Sequence, residues 1–166
     1  YIELTFSNGL PTVLDEDELG LVELIKELNQ IAGEHGVGRV DMVEDRVVGI
    51  KSREIYESPA ASVLLLAHRE LEALVLPRDL IRFKQTVEDA FSEQAYNGLW
   101  YSPLRDSLSA FIAHSQAVVR GSVRLKLHCG GCMVVGRKSE ASLYDIGLAT
   151  YDQNDKFSHG SAEGFI

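Results

Sequence analysis

The residues whose types and spacing could do chemistry are concentrated between Gly36 and Pro59. Glu44 and Tyr56 lie twelve positions apart in this stretch, and alternating apolar residues on both sides of Glu44-Asp45-Arg46 are typical of a β-hairpin that turns at this charged tip. If the tip carries Glu44 and the following loop carries Tyr56, a carboxylate and a phenol hydroxyl can converge on one small polar ligand. A plain solvated hairpin, with Glu44 as a surface charge and Tyr56 as a half-buried aromatic residue, fits the same pattern, and the spacing alone leaves both interpretations open.

A second candidate is Cys129-Gly-Gly-Cys132, because CxxC motifs serve both redox dithiols and zinc sites. A redox dithiol needs a helix N-terminus to lower the thiol pKa, whereas Gly130-Gly131 predicts a tight turn between two strands. Zinc needs about four ligands, and only His128 is close in sequence. We therefore expect two small apolar residues that face each other across a hairpin, with a Cys/His redox or zinc module as the alternative.

The remaining motifs are weak. The five histidines are scattered singly, without HxH or HExxH spacing, and we expect each to be structural. No GxSxG nucleophile motif is present, and Gly36-Val37-Gly38 precedes a predicted strand, so it indicates a turn rather than a phosphate cradle. The sequence therefore predicts no catalytic residue and no metal ligand.

Length and composition bound the class of protein. A chain of 166 residues with 45% hydrophobic and 25% charged residues suits one globular domain. The net charge of -9 argues against nucleic-acid binding, which depends on Lys and Arg neutralising phosphates. No apolar run approaches the roughly 20 residues needed to cross a bilayer, and two cysteines make no disulfide framework. We expect a cytoplasmic protein, and the abrupt strand-like start at Tyr1 favours a piece of a longer polypeptide.

Helix and strand signals indicate how the candidate residues are positioned. We expect an opening hairpin, a helix capped by Asp15 or Asp17 and ended by Gly33 or Gly36, and then the charged hairpin. Three helices follow, and they are predicted to pack against a second pair of strands. The predicted later segments are Ser58 to Leu76, Pro77 to Tyr96, Ser102 to about Val118, the strands Ser122 to His128 and Cys132 to Arg137, a polar loop from Asp152 to His159, and a helix start at Ser161-Ala162-Glu163. The fold class is α+β: a mixed or antiparallel sheet with helices packed on it, as a single domain.

The order of short blocks resembles the C-terminal synthetase domain of the argininosuccinate synthase family. The blocks of the central stretch are GVGRVD from Gly36, VEDR from Val43, GIKSR from Gly49 and IYE from Ile55, followed by Pro59-Ala60. The likeness covers nearly all of residues 1–166, because it continues through Ala67-His68, Phe83-Lys84-Gln85, the run from Gly98 to Pro103, Gly121-Ser122-Val123 and Ser142-Leu143-Tyr144.

The resemblance implies particular roles for two residues. The family's two citrulline-binding positions in this part of the chain map onto Glu44 and Tyr56. The sequence departs from the family pattern at Asp45, where Asn is usual, and at Glu54, where Gly is common. Neither change replaces one of the two binding residues, but both could alter the geometry of the hairpin.

The resemblance also implies what other parts of the enzyme supply. The family joins citrulline to aspartate using ATP with Mg, and releases AMP and pyrophosphate. Its nucleotide motif, of the Ser-Gly-Gly-x-Asp type, belongs to an N-terminal domain and is absent from these residues. We expect the isolated chain to lack ligase activity and to supply part of the citrulline site and contacts of a homotetramer. The alternative is a non-enzymatic small-molecule or protein interaction module that uses the same fold.

Overall fold

The computed structural model describes residues 1–148 and 159–164. All strand pairs in these ranges are antiparallel, so the predicted α+β fold class is confirmed. In chain order, the elements are β1 (Ile2–Ser7), β2 (Leu10–Leu14), β3 (Asp17–Glu18), α1 (Leu21–Glu34), β4 (Arg39–Asp45), β5 (Lys51–Glu57), α2 (Pro59–Val75), α3 (Arg78–Tyr96), α4 (Pro103–Gln116), β6 (Gly121–His128), β7 (Gly131–Lys138) and α5 (His159–Ala162).

A five-stranded sheet in the order β3-β2-β1-β6-β7 forms one layer of the domain. Alternate residues of β1 and β6 point to the same face and are buried there, as the period of two of a half-buried strand requires. Helices α1 and α2 cover this face, and α2 contacts both β6 and β7. The fully buried side chains of the core include Leu4, Leu24, Leu28, Leu71 and Leu125.

The prediction that three helices pack on the second strand pair is wrong. Helices α3 and α4 pack mainly on each other, through contacts such as the edge-on pair Phe83 and Phe111, and only α2 of the three lies on the sheet. Strands β6 and β7 also do not form a separate sheet, because β6 pairs with β1. Strands β6 and β7 thus extend the same sheet whose buried face is covered by α1 and α2.

The helix ends follow the predicted chemistry in part. Ser102, where this helix was predicted to start, caps α4 by accepting a hydrogen bond from the Arg105 N–H at 3.1 Å. The predicted cap of α1 is wrong: Gly20 holds the N-cap position, and Asp15 instead adopts a left-handed turn at φ 55°. The Asp15 carboxylate there accepts a hydrogen bond from the Glu3 N–H at 2.7 Å, which uses the side chain that was expected to cap the helix.

The charged hairpin is a separate two-stranded sheet made of β4 and β5. Its turn spans residues 46–50, closed by backbone hydrogen bonds from Arg46 to Ile50 at 2.9 Å and from Gly49 to Arg46 at 2.7 Å. The prediction that the turn lies at Glu44-Asp45-Arg46 is therefore wrong, because the observed turn lies further toward the C-terminus. Tyr56, predicted in a loop, lies within β5. The strand extends further than expected because its polar residues pair across the ribbon.

The cysteines do not face each other as expected. Cys129 and Gly130 are the two turn residues, both with positive φ, and His128 pairs with Gly131 as the last residues of the strands. Cys132 pairs with Leu127 and packs against the core, where burial raises the pKa of its thiol. One thiol thus lies in an exposed turn and the other lies on the core side of a strand.

The C-terminal predictions fall partly outside the described ranges. The helix expected to start at Ser161 is present as α5, although it begins at His159. The polar loop was predicted from Asp152 to His159, and residues 152–158 of it lie outside the described residues. Among the helices that the structure describes, none combines the length and the apolar character needed to cross a membrane.

A buried polar network joins α2, α3 and α4. Lys84 on α3 is 4% exposed, and its ammonium group binds the carboxylates of Glu72, at 3.0 Å, and Glu88. The Gln116 amide also donates to Glu72 at 2.6 Å, and its oxygen is 2.8 Å from the His68 imidazole. Burial alone would lower the pKa of Lys84, but the hydrogen bonds to Glu88 and Glu72 outweigh it and raise this pKa.

We predict that Lys84→Met lowers the free energy of unfolding by about 3 kcal/mol, because it leaves the buried Glu72 charge without its cation while Gln116 still donates to it. The folded-state pKa of Lys84 is raised above its ordinary value of 10.5. The loss of stability should therefore be constant at pH values below 10.5 and should shrink only as the pH rises through the raised pKa. Urea unfolding at several pH values measures it. The exposed control Lys26→Met should change stability by less than about 0.5 kcal/mol, and equal effects of the two variants would contradict the network.

Candidate functional site

The β4–β5 ribbon sorts its side chains onto two faces. The register pairs Glu44 with Ser52, Met42 with Glu54 and Val40 with Tyr56. Because directly opposed residues share a face and faces alternate along each strand, these six side chains lie on one face. Both predicted site residues are therefore on the same side of the ribbon.

The structure brings Glu44 and Tyr56 into direct contact. The Tyr56 hydroxyl donates a hydrogen bond to the Glu44 carboxylate at 3.1 Å. The Glu44 side chain is 19% exposed and Tyr56 is 43% exposed, so both groups remain accessible from solvent. The two residues were predicted to converge from a tip and a loop; they converge from two paired strands instead.

Sequence reasoning did not identify Arg46 and Glu54 as parts of this cluster. The Arg46 guanidinium binds the Glu54 carboxylate at 2.6 Å, lies 3.4 Å from the Glu44 carboxylate and donates to the Ser52 hydroxyl at 3.0 Å. The signal for Glu54 was its spacing of two positions from Tyr56, which places residues of a strand on one face, whereas Arg46 lies in the turn directly after β4. That signal could be used only once the true turn was known.

The charges of the cluster affect its titrating groups. The hydrogen bond to Glu44 is the main reason why the pKa of Tyr56 is raised above its ordinary value of 10.0, so the phenol is neutral at physiological pH. The negative charge of Glu44, followed by that of Glu54, raises the pKa of Arg46. Two carboxylates and one guanidinium leave one surplus negative charge on this face.

The opposite face of the ribbon carries ion pairs instead of a site. Arg53 binds Asp41 with two nitrogens, which lowers the pKa of that carboxyl, and Lys51 lies 2.5 Å from Asp45. These pairs are exposed, so each is worth little for stability. Asp45 thus takes part in a cross-strand ion pair on this face, while Glu54 is the partner of Arg46 on the other.

Among the described residues, contacts at both of its ends attach the ribbon to the domain. Gly38 has φ 90°, and a Cβ there would lie 2.5 Å from the Cα of Pro59, so only glycine fits against the start of α2. The Ser58 N–H donates to the Gly38 carbonyl at 2.8 Å, and near the tip the Tyr96 hydroxyl of α3 donates to the Asp45 carbonyl at 3.2 Å. These contacts hold both ends of the ribbon.

The cysteine candidate does not gather a set of ligands. The thiol of Cys129 lies 3.3 Å from the His128 imidazole on the exposed turn. Within the two described ranges, no group of three or more His, Cys, Asp or Glu side chains is arranged to hold a metal ion.

The fold and the cluster define a class: an α+β domain that presents a partly exposed carboxylate and phenol on a β-ribbon. Residues 1–166 match the family described as Arginosuccinate synthase C-terminal domain. The chain therefore belongs to the argininosuccinate synthase family as its C-terminal domain, and the resemblance inferred from the sequence is confirmed.

Relatives across several bacteria support this membership. The chain is 58% identical over 166 residues to the argininosuccinate synthase of Gloeobacter violaceus and 58% identical to that of Rubrobacter xylanophilus. It is 57% identical to the argininosuccinate synthase of Trichodesmium erythraeum. Each match covers 100% of this chain, but only 41–42% of the relative, so the chain spans about two fifths of the length of these proteins.

We predict that Glu44→Gln lowers the pKa of Tyr56 toward its ordinary value of 10.0, because it weakens the hydrogen bond that favours the protonated phenol. The measurement is a pH titration of the tyrosine ring carbon bonded to the hydroxyl by ¹³C NMR, with Tyr56→Phe to assign the signal. Glu57→Gln, on the opposite face, is the matched control and should leave this titration unchanged. A Tyr56 signal that titrates at the same pH with and without Glu44 would refute the contact.

Proposed function

We propose that this domain supplies citrulline-binding groups to an argininosuccinate synthase, the ligase that joins citrulline and aspartate at the expense of ATP. The observation that carries the proposal is the contact of Glu44 with Tyr56, whose oxygen atoms are 3.1 Å apart on one partly exposed face of the ribbon. A carboxylate beside a phenol offers charge and hydrogen-bonding capacity to a zwitterionic amino acid. Membership of the family supports this choice of ligand.

The charge balance of the cluster favours an ammonium group. Arg46 binds Glu54 at 2.6 Å and only approaches Glu44, at 3.4 Å. The Glu44 carboxylate therefore has capacity for a second cation, and two carboxylates on one guanidinium supply the attraction. We assign Glu44 to the α-ammonium group of citrulline, through a charge-assisted hydrogen bond.

Tyr56 contributes as a neutral phenol. A phenol keeps its proton at physiological pH, and the raised pKa of Tyr56 agrees with this, so the hydroxyl can donate to Glu44 while its lone pairs accept from a ligand. The hydroxyl then orients the carboxylate and contacts the same ligand. This role is one of binding and orientation, without proton transfer.

ATP and Mg do not fit the residues of this chain that the structure describes. The sequence contains no Ser-Gly-Gly-x-Asp segment, and the part of the chain that the structure describes gathers no acidic group suited to a metal ion. We therefore assign nucleotide and aspartate binding to an N-terminal domain of the parent enzyme, and we propose a cytoplasmic homotetramer as its assembly. Binding and orienting citrulline is the contribution of the residues described here.

In the parent enzyme, Glu44→Gln should raise the KM for citrulline roughly tenfold to a hundredfold, because it removes the charge that faces the α-ammonium group. Tyr56→Phe should raise it less, about twofold to tenfold, since a neutral hydrogen bond is lost. The KM for ATP should change little in either variant, because we assign nucleotide binding to the N-terminal domain of the parent enzyme. Steady-state kinetics with each substrate varied in turn measures both effects.

Asp41→Asn is the matched control, because Asp41 lies on the opposite face of the same ribbon and should leave the KM for citrulline unchanged. Circular dichroism checks that each variant is folded. An unchanged KM for citrulline in both Glu44→Gln and Tyr56→Phe would overturn the assignment of the site.

A further inference from the structure

Arg46 lies between two carboxylates and can neutralise either one. Its guanidinium is 2.6 Å from the Glu54 carboxylate and 3.4 Å from the Glu44 carboxylate. Both acceptors are on the same face of the ribbon, on opposite strands. The contact with Glu54 has hydrogen-bond geometry, whereas the contact with Glu44 is a looser ion pair.

The backbone of Arg46 is held in the turn, while its side chain can pair with either the Glu54 or the Glu44 carboxylate. The Arg46 N–H donates to Ile50 at 2.9 Å and its carbonyl accepts from Gly49 at 2.7 Å, which closes the turn. Its side chain is 47% exposed and is held otherwise by the Ser52 hydroxyl at 3.0 Å. Without the Glu54 carboxylate, the remaining acidic partner within reach of this guanidinium in the cluster is Glu44.

A guanidinium bound closely to Glu44 would oppose ligand binding. Arg46 would occupy the carboxylate oxygens and cancel the charge that attracts an ammonium group. The Glu44 side chain is only 19% exposed, so little of its surface would remain for a second partner.

We propose that Glu54 is a positioning residue that holds Arg46 away from Glu44 and thereby keeps Glu44 available for the α-ammonium group of citrulline. This inference rests on the proposed function of Glu44, and it adds a residue that sequence reasoning had treated only as a departure from the family pattern. Glu54 acts through Arg46 and need not contact the ligand itself.

A double-mutant cycle in the parent enzyme tests this role, with wild type, Glu54→Gln, Arg46→Gln and the double variant compared. Glu54→Gln should raise the KM for citrulline about threefold to tenfold, with kcat and the KM for ATP nearly unchanged, because Arg46 then pairs with Glu44. In the Arg46→Gln background, the same Glu54→Gln change should have almost no effect, since no guanidinium is left to move.

The cycle separates positioning from a simple field effect. If Glu54 acted only by its own negative charge, Glu54→Gln would raise the KM equally with and without Arg46, and that result would overturn the proposal. An unchanged KM in Glu54→Gln and in Glu54→Ala would also overturn it. If Glu44→Gln raises the KM for citrulline and Glu54→Gln does not, the proposed function stands and this inference alone fails. If Glu44→Gln and Tyr56→Phe both leave this KM unchanged, the proposed function and this inference both fail.

Discussion

The antiparallel register of β4 and β5 is the constraint on which the candidate site depends. Glu44 is paired with Ser52, and Tyr56 lies four residues after Ser52 in the same strand. The Glu44 and Tyr56 side chains therefore lie on one face of the ribbon. A slip of one residue in either strand would move its side chain to the other face. The exposed ion pairs of the opposite face, such as Arg53 with Asp41, form across the two strands in this register, although each is worth little for stability.

The domain supports this register from both ends of the ribbon. A two-stranded hairpin is marginally stable by itself, so its attachment to α2 and α3 matters. Gly38 allows the backbone to approach Pro59, and Tyr96 holds the strand end at Asp45. Helix α3 is in turn joined to α2 by the buried Lys84 network. The five-stranded sheet and its helices thus position a site that lies outside their own core.

The sequence predicted the main helices and strand pairs, because apolar periodicity and proline or glycine boundaries mark them directly. Glu44 and Tyr56 stay a predicted site, chosen from their polar groups and from the family resemblance rather than from periodicity. The sequence did not predict that Val47, Val48 and Ile50 form an exposed turn, since apolar residues were taken as strand. Misplacing that turn concealed the contact between Arg46 and Glu54, which depends on cross-strand pairing rather than on local pattern. The α1 cap was missed for a related reason, because the Asp15 carboxylate binds a residue twelve positions earlier.

The central claim is that this face of the ribbon binds the amino-acid end of citrulline. A crystal structure of the parent enzyme with citrulline tests it most directly. The account predicts a Glu44 carboxylate oxygen about 2.7–3.2 Å from the α-ammonium nitrogen, with the Tyr56 hydroxyl on the same ligand and Arg46 still bound to Glu54. Citrulline bound elsewhere, with the contact between Glu44 and Tyr56 unchanged and facing solvent, would contradict it.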